Sequence, residues 1–231
     1  MQNQWLAALD AADRRIIDPH LNERPFAKGQ MLYDAGEAVD EIWFPFTGVV
    51  SLMTVLDRDK MVETAVIGRE GLVGVSCGPL NGRAVSRAVS QCEGVAACLP
   101  AEVFSKAMAD SPTMRQSLTR FTESLFAQVQ QTAACNAQHR VAERMARWLL
   151  TVHDRSDGDC FNLTQQDIAD MLGVRRPTVS EVGAALEKKG LIERRRGSIC
   201  VLDREALEKA ACGCYATMRK VCEELDVAPV H

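Results

Sequence analysis

Residues 163–202 restrict the fold more tightly than any other stretch. Thr164 stands three residues before Asp167, a capping-box spacing with Asp in place of the usual Glu or Gln. Ile168, Met171 and Leu172 then set one apolar face, Ala169 is small enough for a close helix crossing, and Gly173 supplies a C-terminal stop after about two turns. Pro177 suits the first turn of a second helix, because its missing N–H would be unpaired there anyway. On that helix Val179, Val182 and Leu186 face inward, and the pattern ends at Gly190. Two helices joined by a tight turn, with small residues where they touch, predict a helix-turn-helix.

The polar face of the second helix is informative. Arg175, Arg176, Thr178, Ser180, Glu181 and Ala184 lie off the apolar stripe, crowded toward the N-terminal end. In this motif that end enters the major groove, where Arg reaches a guanine edge and Glu accepts from cytosine. Beyond it, 191–193 and 199–201 flank Arg194-Arg195-Arg196-Gly197-Ser198, the pattern of a β-hairpin with arginines near its tip. A merely solvated turn is the competing reading, but cations beside a recognition helix are what phosphate contacts require. The expected partner is double-stranded DNA, with Arg175, Arg176, Thr178, Ser180 and Glu181 on bases and Thr164, Gln166, Arg194, Arg195 and Arg196 on phosphates. The net charge of −4 hides a segregation: residues 1–139 carry 12 Lys/Arg against 16 Asp/Glu, 140–196 carry 11 against 9, and 197–231 carry 4 against 6.

Upstream the periodicity changes. Trp5, Leu6, Leu9, Ala12, Ile16 and Ile17 predict one short amphipathic helix, stopped at Asp18-Pro19. Between 26 and 99, short apolar runs at 42–44, 49–55, 61–67, 88–91 and 95–99, punctuated by glycines, predict the strands of a small β-barrel or roll. From Pro112 to His139 the positions Met114, Leu118, Phe121, Leu125, Val129 and Thr132 follow in steps of four and three, a narrow stripe along one long helix. Burial against the chain's own roll is one reading. The favoured one is a two-fold seam between protomers through Leu118, Phe121, Leu125, Val129 and Thr132. A further helix over 141–153 leads into the C-terminal unit.

The segment Leu163-Thr-Gln-Gln-Asp-Ile-Ala-Asp-Met-Leu-Gly-Val-Arg-Arg-Pro-Thr-Val-Ser-Glu-Val-Gly-Ala-Ala-Leu-Glu-Lys-Lys-Gly-Leu-Ile192 resembles the winged helix-turn-helix of the Crp/Fnr superfamily of bacterial transcription regulators. Phe26-Ala-Lys-Gly-Gln-Met-Leu-Tyr-Asp-Ala-Gly36 and Phe44-Pro-Phe-Thr-Gly-Val-Val-Ser-Leu52 resemble the opening of its cyclic-nucleotide-binding-type β-roll. The resemblance covers nearly the whole chain. It implies an α+β fold: a jelly-roll sensor domain over 1–111, a dimerisation helix over 112–139 and a winged helix-turn-helix over 140–231. It further implies a cytoplasmic homodimer on a roughly palindromic site, with RNA polymerase as a further partner, and no enzymatic activity.

Departures from the family pattern bear on the signal. Cyclic-AMP-responsive members hold the ribose and phosphate with a Gly-Glu-apolar turn and a later Arg-Ser/Thr pair. Here Gly68-Arg69-Glu70-Gly71-Leu72 puts Arg69 where that Glu is expected, and Arg83 and Arg87 are each followed by Ala. Glu70, Arg83 and Arg87 are the candidate effector residues, and Leu125-Phe126 falls where those members offer polar groups to adenine, so cyclic AMP is disfavoured. The effector stays unidentified and no cofactor is required. On the recognition helix Pro177 and Glu181 stand where many members carry Glu and then Arg, so no known operator transfers.

Nine cysteines in an odd count, without a signal peptide, argue for reduced thiols over disulfides. The oxygen-sensing branch's N-terminal cysteine group is absent, since the first cysteine is Cys77. Cys77, Cys92 and Cys98 read as small buried hydrophobes. Read as one helix from Asp203, with Leu207, Ala211, Cys214, Met218, Val221 and Leu225 on a stripe, the C-terminal segment keeps Cys212, Cys214 and Cys222 from sharing a metal. The four histidines are scattered with no helical pair at metal spacing, so no metal site is expected. No apolar run reaches the length of a membrane span. The rival readings are a signalling module whose helix-turn-helix serves protein contacts, and a thiol or metal enzyme.

Overall fold

The structure, a computed structural model, describes residues 2–57, 60–75 and 83–227. Its N-terminal half is a roll of two antiparallel sheets. One holds β1 (Asn22–Phe26), β7 (Gly94–Pro100) and β3 (Glu41–Pro45), in the order β1-β7-β3. The other runs β2-β6-β4-β5, from β2 (Met31–Tyr33), β6 (Arg87–Cys92), β4 (Val49–Asp57) and β5 (Lys60–Ile67). The apolar run of β4 is buried on both faces. Val50 and Leu52 point into the roll, whereas Val49 and Met53 point the other way and pack with the C-terminal half. Period-two alternation thus sends one strand's side chains into two cores.

The N-terminal segment is two helices rather than the expected one, α1 (Gln4–Ala7) and α2 (Ala11–Ile17). Asp10 restarts the chain by accepting from the N–H groups of Ala12 and Asp13, and an Asp cap competes well with continuing the first helix. Buried Asn3 donates to the carbonyls of Pro45 and Gly71, and Trp5 stacks on Phe44 with ring centroids 5.6 Å apart.

After α3 (Ala101–Asp110), the long helix α4 (Pro112–Gln138) begins at Ser111, whose hydroxyl accepts from the N–H of Met114. The placement of its apolar stripe corrects the expected dimer seam. Met114, Phe121 and Leu125 are buried in the roll's own core, Leu118 and Val129 pack against that core, and Thr132 is buried. Gly71 is essential to this contact, because a Cβ there would lie 2.1 Å from the Phe121 ring. Gln128 adds a polar clamp, its amide oxygen taking the Val66 N–H at 2.5 Å along the sheet edge formed by β5. Heptad-like spacing marks a buried stripe without saying what buries it, and here the partner is the chain itself. On another face of α4, Thr119, Thr122, Phe126, Gln130 and Ala133 are exposed, Phe126 at 62%.

The C-terminal half comprises α5 (Val141–His153), β8 (Cys160–Phe161), α6 (Gln165–Leu172), α7 (Arg176–Lys188), β9 (Ile192–Arg195), β10 (Ser198–Val201), α8 (Arg204–Ala210) and α9 (Cys214–Glu224). Met145, Trp148, Leu149 and Val152 of α5 form its central core with Ile168, Leu172, Val179 and Leu186. The two halves also share polar contacts: Trp148 Nε1 donates to Glu63 at 2.7 Å, Arg155 pairs with Glu70 at 2.7 Å, and Lys28 with Asp167 at 2.6 Å. Among the described residues no helix is long and apolar enough to cross a membrane.

Two cysteine expectations are corrected. Cys160 and Cys200 face each other across the β8-β10 pair and form a disulfide. A two-residue strand carries no periodicity that could have announced that pairing. The segment from Asp203 is two helices, α8 ending at Ala210 and followed by Ala211, whose extended backbone turns the chain before α9 starts at Cys214. Gly213 within the helical pattern was the signal of that break.

Candidate nucleic-acid interface

The reading unit is built on its caps. Thr164 Oγ accepts from the Asp167 N–H at 3.1 Å while the Asp167 carboxylate accepts from the Thr164 N–H at 2.7 Å, the reciprocal box that fixes the start of α6. Gly173 takes the left-handed conformation at φ 62°, which lets α6 stop and the chain turn into α7. Arg175 is the N-cap of α7 and Pro177 sits in its first turn, yet no side chain caps the helix. Pro177 has no N–H and the Thr178 N–H is held by the Arg175 carbonyl at 3.0 Å, so it is the Arg176 N–H that no side chain caps at the positive end of the helix dipole.

Around this helix start, Arg175 and Arg176 are exposed and have no side-chain partner among the described residues, and Glu181 is exposed one turn on. Thr178 and Ser180 are half-buried. The hairpin beside them turns at Arg196-Gly197, with Arg195 opposite Ser198 and Gly197 at φ 79°. Arg196 is exposed and unpaired among the described residues; Arg195 is exposed and reaches Glu193 at 2.8 Å. Thr164, Gln166, Arg176, Arg194, Arg195 and Arg196 line a single open groove between the helix-turn-helix and the hairpin. Gln166 also donates to Asp170 at 2.8 Å.

Arg194 has a different job from the expected phosphate contact. Its backbone N–H and guanidinium hold the Glu187 carboxylate at 2.8–3.0 Å, and Nη1 donates to the Ser180 carbonyl at 3.0 Å. The Arg194 backbone N–H, followed by its guanidinium, keeps the Glu187 carboxyl below the usual range. Gly183 makes room, since a Cβ there would stand 3.0 Å from Arg194 Cδ. Arg194 pins the hairpin to the recognition helix, leaving Arg195 and Arg196 at the tip.

The three candidate effector residues are each engaged separately. Glu70 is buried, its Oε1 accepting from Arg155 Nε and from the Gly68 N–H. Arg83 is exposed and donates to the Gly36 carbonyl at 2.7 Å. Arg87 grips Asp34 through two bonds of 2.8 and 2.7 Å, and that guanidinium holds the Asp34 carboxyl below its ordinary value. No hydrogen bond or ion pair joins the three among the described residues.

Of the roll's cysteines, Cys98 is buried and Cys92 half-buried, and burial pushes both thiols up to about 11, away from reactive thiolate character. Cys77 lies outside the described residues. The expectation that one continuous helix keeps Cys212 and Cys214 apart is corrected: Cys135, His139, Cys212 and Cys214 bring ligand atoms that all lie within 4.8 Å of one another. Cys135 and His139 are spaced i,i+4 at the end of α4, a local signal in the sequence for a shared ligand face that a comparison of histidines alone does not register.

Residues 23–111 match the model of the cyclic nucleotide-binding domain, and residues 143–210 match that of the Crp-like helix-turn-helix domain. The nitrogen fixation regulation protein FixK of Bradyrhizobium diazoefficiens is 27% identical over 219 residues, 89% of this chain and 88% of the relative. The transcriptional activator protein FnrA of Stutzerimonas stutzeri is 24% identical, over 85% of this chain and 83% of its own. In three dimensions the chain superposes on FixK2 from Bradyrhizobium japonicum with a TM-score of 0.71 at 19% identity, covering 83% of this chain and 98% of that one.

Proposed function

The chain belongs to the Crp/Fnr family of DNA-binding transcription regulators, and from that premise we propose that it acts in the cytoplasm as a homodimer that reads a roughly palindromic site. The observation that carries this reading is the start of α7, where Arg175 and Arg176 are exposed with no side-chain partner among the described residues and Arg176 shares one groove with Arg195 and Arg196. Arg175, Arg176, Thr178, Ser180 and Glu181 read base edges. Thr164, Gln166, Arg195 and Arg196 hold phosphates, and Arg194 sets the hairpin that presents them. Two protomers meet through the exposed α4 face around Phe126, the large apolar side chain that the chain's own fold leaves uncovered on that helix. RNA polymerase is the further partner. The curated relatives it matches are regulators rather than enzymes.

The roll senses a signal other than cyclic AMP. Supporting this, Glu70 is committed to Arg155, Arg87 to Asp34 and Arg83 to a backbone carbonyl, so no trio of free groups awaits a ribose and cyclic phosphate. No cofactor is required for DNA binding itself.

The test is the salt dependence of binding to selected and random duplexes. Neutralising several phosphates makes affinity fall steeply with salt, at a log–log slope of about −0.9 per contact. Arg176→Ala lowers discrimination between sequences. Arg196→Ala weakens all sequences alike and reduces the slope by about 1 per half-site. A flat salt dependence contradicts the reading.

A further inference from the structure

Four ligands of soft or borderline character meet at a point that recognition of DNA does not use. Cys135 and His139 project from the same face at the end of α4. Cys212 and Cys214 stand on either side of Gly213 at the break between α8 and α9, far away in sequence. Cys135 Sγ lies 3.5 Å from Cys212 Sγ, and Cys214 Sγ lies 3.5 Å from His139 Nδ1. A tetrahedral ion bonded at about 2.3 Å to sulfur and about 2.0 Å to nitrogen requires about 3.8 Å between sulfurs and about 3.5 Å between sulfur and nitrogen. Both of these separations suit one ion, and the four ligand atoms all lie within 4.8 Å of one another.

The surroundings fit the same occupant. The three cysteines form a small buried cluster of their own. Gln131, one turn before Cys135, donates its amide to Cys214 Sγ at 2.9 Å, as outer partners of metal thiolates do. Arg144 and Arg147 are buried within electrostatic range of Cys135, and the Nε of each has no partner among the described residues. Three thiolates and one imidazole around a divalent ion carry a net charge of −1, which these cations offset.

We propose that Cys135, His139, Cys212 and Cys214 form a tetrahedral site for one divalent ion of the zinc class, which fastens the end of the long helix to the helix pair behind the DNA-reading unit. Binding releases three thiol protons to solvent and changes no oxidation state. The ion would add a link at the end of α4 to the side-chain contacts that already join the two halves.

The experiment uses the full chain, purified without chelator, with zinc counted by mass spectrometry, coordination read by X-ray absorption, and cobalt(II) substituted for its visible tetrahedral thiolate bands. One equivalent per chain with three sulfurs and one nitrogen is expected. Cys212→Ser and Cys214→Ser abolish the cobalt bands, while Cys222→Ser, outside the cluster, retains the full equivalent. Gln131→Ala keeps all four ligands and weakens metal affinity by roughly tenfold, a readout that survives if a cysteine variant fails to fold. A metal-free chain showing no cobalt bands, a Cys135–Cys212 disulfide in the native protein, iron with acid-labile sulfide, or metal retained in both serine variants would each overturn the proposal. None of these readouts involves DNA, so the site and the regulator reading stand or fall separately.

Discussion

Substituting Glu63 by Gln should abolish a pH dependence of stability that this one carboxyl creates. Glu63 sits on β5 at the seam between the roll and the C-terminal half, where Trp148 Nε1 donates to one oxygen at 2.7 Å and the Ser51 hydroxyl to the other. Burial dominates and pushes the carboxyl from its ordinary 4.5 up to about 7, against the opposing pull of the Ser51 and Trp148 hydrogen bonds and of Arg147 and Arg155. Its folded value lies above its unfolded value, so the fold binds this proton more tightly than the open chain does. The associated stability is complete below about pH 4.5 and is lost as the pH climbs through about 7. A gap of about 2.5 pH units at about 1.4 kcal/mol each makes the loss about 3 kcal/mol. Glu63→Gln keeps an oxygen for Trp148 and never ionises. Urea unfolding from about pH 5 to about pH 8 should show the variant's advantage over wild type growing with pH by up to about 3 kcal/mol. A difference that stays constant with pH, or a variant less stable at about pH 8, refutes the argument.

Arg194→Ala removes the bonds to Glu187 and Ser180, and because solvent screens this pair only a small fall in the thermal unfolding midpoint is expected. It should weaken DNA binding without changing the salt slope, in contrast to Arg196→Ala. Phe126→Arg places a charge at the exposed α4 face and should convert dimer to monomer in analytical ultracentrifugation, with circular dichroism unchanged. Gly71→Ala drives a methyl into the Phe121 ring and should cost about 1–3 kcal/mol in urea unfolding.

What the sequence made legible follows from how locally each feature is encoded. Caps and stops are written in a few adjacent residues, so Thr164, Gly173 and Pro177 were enough to define α6 and α7. Apolar alternation located β3 to β7, but β1 escaped because Asn22-Glu23-Arg24-Pro25 is exposed and carries no pattern. Partners were harder. The stripe of Leu118, Phe121 and Leu125 is equally good for a second protomer or for the roll, and only the close approach of Gly71 to Phe121 decides. Arg194 was grouped with Arg195 and Arg196 because they are adjacent, although strand alternation turns it toward Glu187. The Cys135, His139, Cys212 and Cys214 group joins two segments that no local pattern connects, and treating 203–225 as one helix hid it.

The central claim is sequence-specific recognition by a two-fold pair of reading units. Its most direct test is recovery of fragments from a genomic DNA library by the purified chain, followed by sequencing of the bound pool. The account predicts enrichment of a palindromic motif whose half-sites lie about one helical turn apart. Recovery without any shared motif, whatever the salt, would contradict it.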